Sequence, residues 1–367
     1  EWSMCVDSST YHFFAGTNHQ EKEVSMAYSG CDIKYHNHQS EYVGEHFKAR
    51  KFITGFSGSG GTAVITKTEA RLWTDGRYFI QAAAQLKGTT VELMKMGEPG
   101  VPELNAYIEE VLKEGETLGF DGRVVSVGEG EGYAAIARKK NAKVNYQVDL
   151  IDEIWEDRPV LSEEPAFNLD VKYAGETVAS KLARIREEMK EAGTNVHVVS
   201  TIDDICWTLN IRGNDIDFFP LVLSYGIITM YSFELYIDEK KLDDKLKAKL
   251  EKDGVNLHPY NDIYEDVKKF GSDVVAMIDP GKLNYALFNN IPENVKTVEK
   301  RNPAILMKAI KNPVEIENIR KAQIKDSVAH VRFMKWLKEN VGKMRITEMS
   351  ASDKLDEFRA EMGNFIR

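Results

Sequence analysis

Residues 54–85 constrain the fold of this 367-residue chain more than any other stretch. They read TGFSGSGGTAVITKTEARLWTDGRYFIQAAAQ, in which a glycine-rich turn precedes two strand-like runs. The runs at residues 62–66 and 71–74 are joined by polar residues, a spacing that predicts a β-hairpin. Asp75 and Gly76 then end the second strand, because glycine tolerates the backbone angles of a sharp corner. The stretch therefore predicts a hairpin followed directly by a helix, as in an α/β domain.

Arg77 follows this corner and is the candidate binding residue of the sequence. It lies between a strand end and a helix start, where loops over a sheet edge collect binding residues. A guanidinium at that position suits a carboxylate or carbonyl group of a small ligand. The alternative is an arginine that only pairs with a surface acid, and the pattern alone leaves both interpretations open.

Composition excludes several function classes. The chain carries 58 acidic and 48 basic residues, and its net charge of −10 argues against nonspecific binding to nucleic acid. No apolar run is long enough to cross a bilayer and no secretory signal opens the sequence, so we expect a soluble, cytoplasmic protein without a membrane partner. The three cysteines are too few and too widely spaced for a disulfide scaffold or a cysteine-based zinc site.

The length predicts two or three domains, and the patterns divide the chain into five parts. Residues 1–35 lack periodicity, and we expect an atypical, poorly ordered segment. Two α/β domains with mixed sheets flanked by helices follow, at residues 36–155 and 176–302, with a linker at 156–175 between them. Both domains run through a polar glycine turn, two strands and an amphipathic helix, which indicates duplication of one unit. The last part begins at residue 303.

Two helices are predicted in this last part. Asn312, Pro313 and Glu315 form a helix start, with a cap, a proline at the first position and an acid at the third. The helix should run to about residue 341, and Thr347 caps a second one. No strands follow to cover these helices, so we expect an exposed apolar patch and an incomplete domain.

The chain resembles the amino-terminal part of the aminopeptidases P, the Xaa-Pro aminopeptidases of the pita-bread metallopeptidase family. The resemblance implies two α/β domains like the creatinase amino-terminal domain, followed by a catalytic domain with two manganese ions. It also implies a homodimer that removes the first residue from peptides with proline in second position. The matching segments are residues 38–42, 52–65, 73–79, 201–215, 310–326 and 347–359.

The resemblance assigns few site residues. The arginine of the family's WTDGRYF segment contributes to substrate binding, and it falls on Arg77. The five metal ligands and the catalytic histidines of the family are expected beyond residue 367, so no catalytic or metal-binding residue is assigned here. The fragment itself should therefore be inactive. Glu315 and Asp353 are interpreted as cap or solvated-face residues. Arg212 either borders the substrate cleft or the subunit interface, or it supports a turn.

Two alternatives to an aminopeptidase fragment stay open. The chain could serve as a non-catalytic creatinase-like module for dimerisation or peptide binding. Prolidases and creatinases typically carry a single amino-terminal domain, and the second α/β domain argues against them. The irregular residues 1–35 also put the first strand of domain one in doubt, since we expect no central strand before His36.

Overall fold

A computed structural model describes residues 43–363 and Phe365, together with the backbone of four strands in the preceding segment. Three of these strands form a small antiparallel sheet in the order β1-β2-β3. The poor order predicted for residues 1–35 concerns positions that lie mostly outside the described residues. The four strands are Cys5–Asp7 (β1), Thr10–Phe13 (β2), Lys22–Val24 (β3) and Gly30–Ile33 (β4).

The first domain is built on a six-stranded mixed sheet in the order β7-β6-β5-β4-β8-β9. Strand β4 lies in its centre, antiparallel to β5 and parallel to β8. The expectation of no central strand before His36 was therefore wrong. The remaining strands are Thr62–Thr66 (β5), Ala70–Thr74 (β6), Val91–Lys95 (β7), Thr117–Phe120 (β8) and Lys143–Asn145 (β9).

The predicted hairpin is confirmed, because β5 and β6 pair antiparallel with Thr62 opposite Trp73. Since side chains alternate along a strand, Ile65 packs into the core on one face of the sheet and Val64 into the core on the other. Helices therefore cover both faces. They are Ala49–Thr54 (α1), Phe79–Gln85 (α2), Leu104–Val111 (α3) and Val127–Lys139 (α4), after a short 3₁₀ turn at Glu45–Phe47.

The segment predicted as a linker contains a strand and a helix of its own. Phe167–Asn168 (β10) pairs with Ile211–Arg212 (β12), and one helical turn follows at Val171–Ala174 (α5). Its irregular part contacts the first domain, where Arg158 donates to the carbonyl of His46 over 2.9 Å. The segment thus joins the two domains and also packs against both.

The second domain repeats the architecture of the first. Its sheet has the order β15-β14-β13-β11-β16-β17, which matches the first sheet strand for strand. The strands are Val196–Val199 (β11), Ser224–Thr229 (β13), Phe233–Ile237 (β14), Val255–His258 (β15), Val275–Ile278 (β16) and Lys296–Glu299 (β17). The helices are Val178–Glu191 (α6), Ile202–Leu209 (α7), Asp244–Lys252 (α8), Ile263–Asp266 (α9) and Tyr285–Asn289 (α10), with 3₁₀ turns at Glu239–Lys241 and Val267–Lys269.

The apolar run at residues 227–237 could be taken from its composition for one long strand. It belongs to two strands, β13 and β14, because the chain reverses between them. Thr229 Oγ1 accepts the backbone N–H groups of Tyr231 and Ser232, at 3.1 and 2.9 Å, and closes the turn. A side chain supplies this turn where no glycine or proline marks it.

The two domains meet through a pseudo-twofold interface. Backbone bonds cross it in reciprocal pairs, so each bond from the first domain is matched by one from the same place in the second. This symmetry supports the predicted duplication, because equivalent surfaces of two copies meet each other. The bonds run from Val127 N to Leu283 O, from Tyr285 N to Val125 O, from Gly128 N to Pro280 O and from Ala286 N to Gly122 O.

The last part consists of the helices Pro303–Ala309 (α11), Pro313–Asn340 (α12) and Glu348–Glu361 (α13). The predicted caps at Asn312 and Thr347 are confirmed, and Asn312 also donates to the carbonyl of Ala174 over 2.8 Å. Apolar side chains such as Ile319 and Val331 are exposed on α12. Across the described residues, no helix is both long enough and apolar enough to span a bilayer.

Candidate functional site

Arg77 lies in the turn between β6 and α2, and its side chain is 71% exposed. The guanidinium forms a two-pronged ion pair with Asp75, in which Nε reaches Oδ1 and Nη2 reaches Oδ2, both at 2.8 Å. This bonding lowers the pKa of Asp75 to about 2 and raises the pKa of Arg77. Arg77 thus pairs with a surface acid, as the alternative interpretation of the sequence expected. Its role in substrate binding stays a prediction.

The turn itself fixes the direction in which Arg77 leaves the sheet. Asp75 Oδ1 also accepts the backbone N–H of Arg77 over 3.1 Å, which closes a local side-chain turn. The guanidinium carbon lies 5.2 Å from the centre of the Tyr78 ring. Because the Tyr78 hydroxyl contacts Ser59 Oγ at 2.6 Å, the turn is tied to the glycine-rich loop. The guanidinium of Arg77 is therefore exposed to solvent, but its contacts with Asp75 and Tyr78 fix its direction.

The glycine-rich loop at residues 55–61 leaves room for this ion pair. A Cβ atom added at Gly60 would lie 3.0 Å from Asp75 Oδ2 and 3.2 Å from Arg77 Nη2. At Gly58 an added Cβ would lie 2.3 Å from the ring of Phe56, well inside contact distance. Gly58 therefore lets the loop approach the corner, and a side chain at Gly60 would crowd the ion pair.

Arg50 supports the site from a position that sequence patterns do not reveal. It is fully buried on α1, donates to Gly61 O over 2.5 Å and also donates to Gly58 O. A further carbonyl of the loop, that of Gly60, accepts a hydrogen bond from Thr74 Oγ1 over 2.6 Å. Together these two side chains hold the loop against the end of β6. An arginine just before a glycine-rich loop is the only sequence signal for this role, since helical arginines are usually exposed.

Arg212 contacts backbone carbonyls rather than an open surface. Its Nη1 donates to Cys206 O at 2.9 Å and to Ile211 O at 2.8 Å. Burial lowers the pKa of its guanidinium. These contacts correspond to the turn-supporting alternative, and a role beside the substrate cleft stays a prediction.

The manganese pair implied by the resemblance finds no ligands in the part of the chain that the structure describes. No three histidine, cysteine, aspartate or glutamate side chains come together there in a way that could hold a metal ion. Glu315 instead accepts the backbone N–H of Asn312 over 2.9 Å, as a capping residue does. The described residues therefore do not fit a metal pair.

Comparisons with known proteins agree with this architecture. Residues 26–155 and residues 157–315 each match a family described as creatinase/prolidase N-terminal domain. The Caenorhabditis elegans protein "Xaa-Pro aminopeptidase app-1" is 34% identical over 363 residues, covering 95% of this chain. The chain belongs to the aminopeptidase P family. The first match begins before residue 36, where we placed the start of the first domain.

Other members of the aminopeptidase P family extend the likeness. "Aminopeptidase P2" of Arabidopsis thaliana is 35% identical over 362 residues, covering 90% of this chain and 51% of its own length. A crystal structure described as X-prolyl aminopeptidase from Caenorhabditis elegans, "a cytosolic enzyme with a di-nuclear active site", superposes with a TM-score of 0.87. It is 32% identical and covers 92% of this chain and 56% of its own. The chain thus spans about half the length of the relatives it matches.

Proposed function

We propose that this chain is the amino-terminal part of an aminopeptidase that removes the first residue from peptides with proline in second position. The observation that carries the proposal is the TM-score of 0.87 over 92% of the chain to an X-prolyl aminopeptidase structure. That likeness includes the second α/β domain, which argues against a prolidase or a creatinase. By the same likeness, we place the protein in the cytoplasm, as a homodimer whose complete form uses two metal ions, which we take to be manganese.

Within this proposal, the chemistry that a bound metal pair would supply is activation of the attacking water. Its ligands would come from sequence beyond this chain, since the described residues offer no ligand set. The chain as given should therefore be inactive. The alternative, a non-catalytic module for dimerisation or peptide binding, needs no metal at all.

The contribution of this chain to catalysis would be to position the substrate through Arg77. A guanidinium has five N–H donors, and the side chain of Asp75 engages two of them. The other three leave enough capacity for a carbonyl or carboxylate of a peptide. Because Asp75 and the turn already fix the guanidinium, little ordering is needed when the peptide binds.

The test compares the 367-residue chain with a longer protein, expressed from the same reading frame continued past residue 367. We expect the longer protein, loaded with manganese, to cleave Xaa-Pro peptides and the 367-residue chain to be inactive. In the longer protein, Arg77→Ala should lower kcat/KM roughly 10- to 100-fold, the loss expected for one charged hydrogen bond. Arg138→Ala, at an exposed arginine of α4, should leave it unchanged.

Two outcomes would contradict different parts of the proposal. A longer protein without peptidase activity would favour the non-catalytic module. An active protein in which Arg77→Ala and Arg138→Ala behave alike would keep the aminopeptidase assignment and remove Arg77 from the site.

A further inference from the structure

The second domain contains a counterpart of the Arg77 corner. Strand β14 holds the same place in its sheet as β6 holds in the first. Asp238 follows the last residue of β14 as Asp75 follows the last residue of β6. Asp238 Oδ1 accepts the backbone N–H of Lys240 over 3.0 Å, just as Asp75 Oδ1 accepts that of Arg77. The duplicated unit therefore repeats the turn, with Lys240 in the position of Arg77.

The side chains of the two corners differ. Arg77 folds back onto Asp75, whereas Lys240 pairs with Glu163 of the linker. A cavity of about 510 Å³ lies beside the turn in the second domain. It lies at the carboxyl ends of the parallel strands β14 and β15, where ligands of α/β sheets commonly bind. Its volume falls in the range of small-molecule sites.

The lining of this cavity is apolar with an acidic rim. Its charged residues are Asp238, Glu239, Asp262 and one base, Lys241. The remaining lining residues are Leu161, Ser162, Leu223, Ile237, Pro259, Tyr260 and Asn261. A ligand that fits both parts of this lining carries a positive charge on an apolar body.

The single base in the lining is already neutralised. Lys241, with a side chain that is 2% exposed, donates to Asp215 Oδ2 over 2.5 Å, and the Asp215 side chain is fully buried. The same oxygen accepts the backbone N–H of Leu223 over 2.6 Å. This buried pair therefore contributes no net charge, and the rim acids determine the sign of the cavity.

Two of the rim acids are available to a ligand. Asp262 is exposed, and its carboxylate forms no hydrogen bond or ion pair in the described residues. Glu239 makes one contact, a surface ion pair of 3.4 Å with Lys247, a type of pair that contributes little. Asp238, in contrast, is engaged by the backbone of its own turn.

We propose that this cavity binds a small organic cation, a primary amine on an apolar or aromatic body. The apolar body contacts Leu161, Pro259 and Tyr260, and the ammonium faces Glu239 and Asp262. The inference rests on the linker and the second domain and is independent of the proposed peptidase activity.

The experiment is calorimetric titration of the 367-residue chain at low salt with three probes of nearly equal shape: 2-phenylethylamine, 2-phenylethanol and 3-phenylpropanoate. We expect the amine to bind at least about tenfold more tightly than the alcohol, and the anion to bind more weakly than either. The double variant Glu239→Gln/Asp262→Asn should weaken the amine about fivefold or more without changing the alcohol. Neither substitution removes a bond that holds the fold.

The matched control is Asp244→Asn/Glu251→Gln, which removes the same charge from exposed positions of α8. It should change the affinity for the amine by less than about twofold. A bulky side chain at Ser162, as in Ser162→Trp, should abolish binding of the amine and the alcohol. If that variant does not fold, the two charge variants still decide the question.

Three results would overturn the proposal. They are no detectable binding of the amine, equal or tighter binding of the alcohol or the anion, and equal weakening of the amine by the rim variant and the α8 control. The last result would mean that the amine responds to the overall charge of the domain and not to the cavity.

Discussion

Gly130, on α4, allows the two domains to meet at their pseudo-twofold interface. A Cβ atom built there would lie 2.2 Å from Cδ2 and 2.4 Å from Cγ of Tyr285, a residue of the second domain. Tyr285 is 5% exposed and packs against Tyr146 and Phe120, at ring distances of 5.0 and 5.6 Å, so its ring has little room to move. Gly130→Ala should therefore push the domains apart.

The magnitude follows from two opposing effects. Alanine in place of glycine stabilises a helix interior by about 1 kcal/mol. Overpacking a well-filled contact costs about 1–3 kcal/mol, and here the nearest atoms belong to a constrained ring. We expect Gly130→Ala to lower the free energy of unfolding by up to about 2 kcal/mol, measured from the urea midpoint and the slope of the transition.

Gly132 provides a matched control in the same helix. No atom lies within 4 Å of a Cβ built there, so Gly132→Ala should raise the free energy of unfolding by up to about 1 kcal/mol. Opposite signs for two glycines in one helix would isolate the contact with Tyr285. If both variants are stabilised equally, the domains do not pack as described and the reasoning fails.

Three further variants test the remaining parts of the fold. Arg50→Met should destabilise the chain by about 3 kcal/mol, as urea unfolding would measure, because it removes the side-chain donor to the carbonyls of Gly58 and Gly61. Burial lowers the pKa of His197 below its ordinary 6.5, so the unfolded chain takes up a proton that the folded chain excludes. Unfolding free energy should thus fall as pH drops below 6.5, and His197→Gln should flatten that dependence. Asn312→Ala should cost about 1–2 kcal/mol, since it removes a helix cap and the bond to Ala174.

Each of these variants has a control. Arg138→Met removes an exposed arginine and should leave stability within about 0.5 kcal/mol of the parent chain. His330→Gln, at an exposed position of α12, should leave the pH dependence as it is. Asn312→Asp keeps the capping oxygen but loses the donor to Ala174, so a cost equal to that of Asn312→Ala would show that the cap contributes nothing.

Local patterns predicted those features that local chemistry decides. The β5-β6 hairpin, the caps at Asn312 and Thr347 and the position of Arg77 depend on residues close together in sequence, and all are found where the patterns placed them. The turn after Thr229 is not predicted from sequence, because its side-chain bonds do not require glycine or proline. The strand Gly30–Ile33 is not predicted either, because its partners β5 and β8 are distant in sequence.

Contacts between distant segments explain why the sites were only partly predicted. Nothing near Lys241 in sequence shows that it pairs with Asp215, because the two residues meet only when the sheet of the second domain forms. Arg50 likewise resembles a surface residue until α1 packs against the glycine-rich loop. Buried charges of this kind need partners that pattern analysis of single segments does not find.

The duplicated corners show which properties a repeated unit preserves. Backbone bonds fix the turn after β6 and the turn after β14 in the same way, with Asp75 and Asp238 accepting an N–H two residues on. The side chains of Arg77 and Lys240 take no part in those backbone bonds. One corner therefore presents an exposed guanidinium, and the other closes its lysine onto the linker beside an acidic cavity. The turn geometry is repeated because the sheet requires it, while the basic side chains at the two turns take different partners. Since one corner presents a guanidinium and the other adjoins an acidic cavity, the two corners should select ligands of opposite charge.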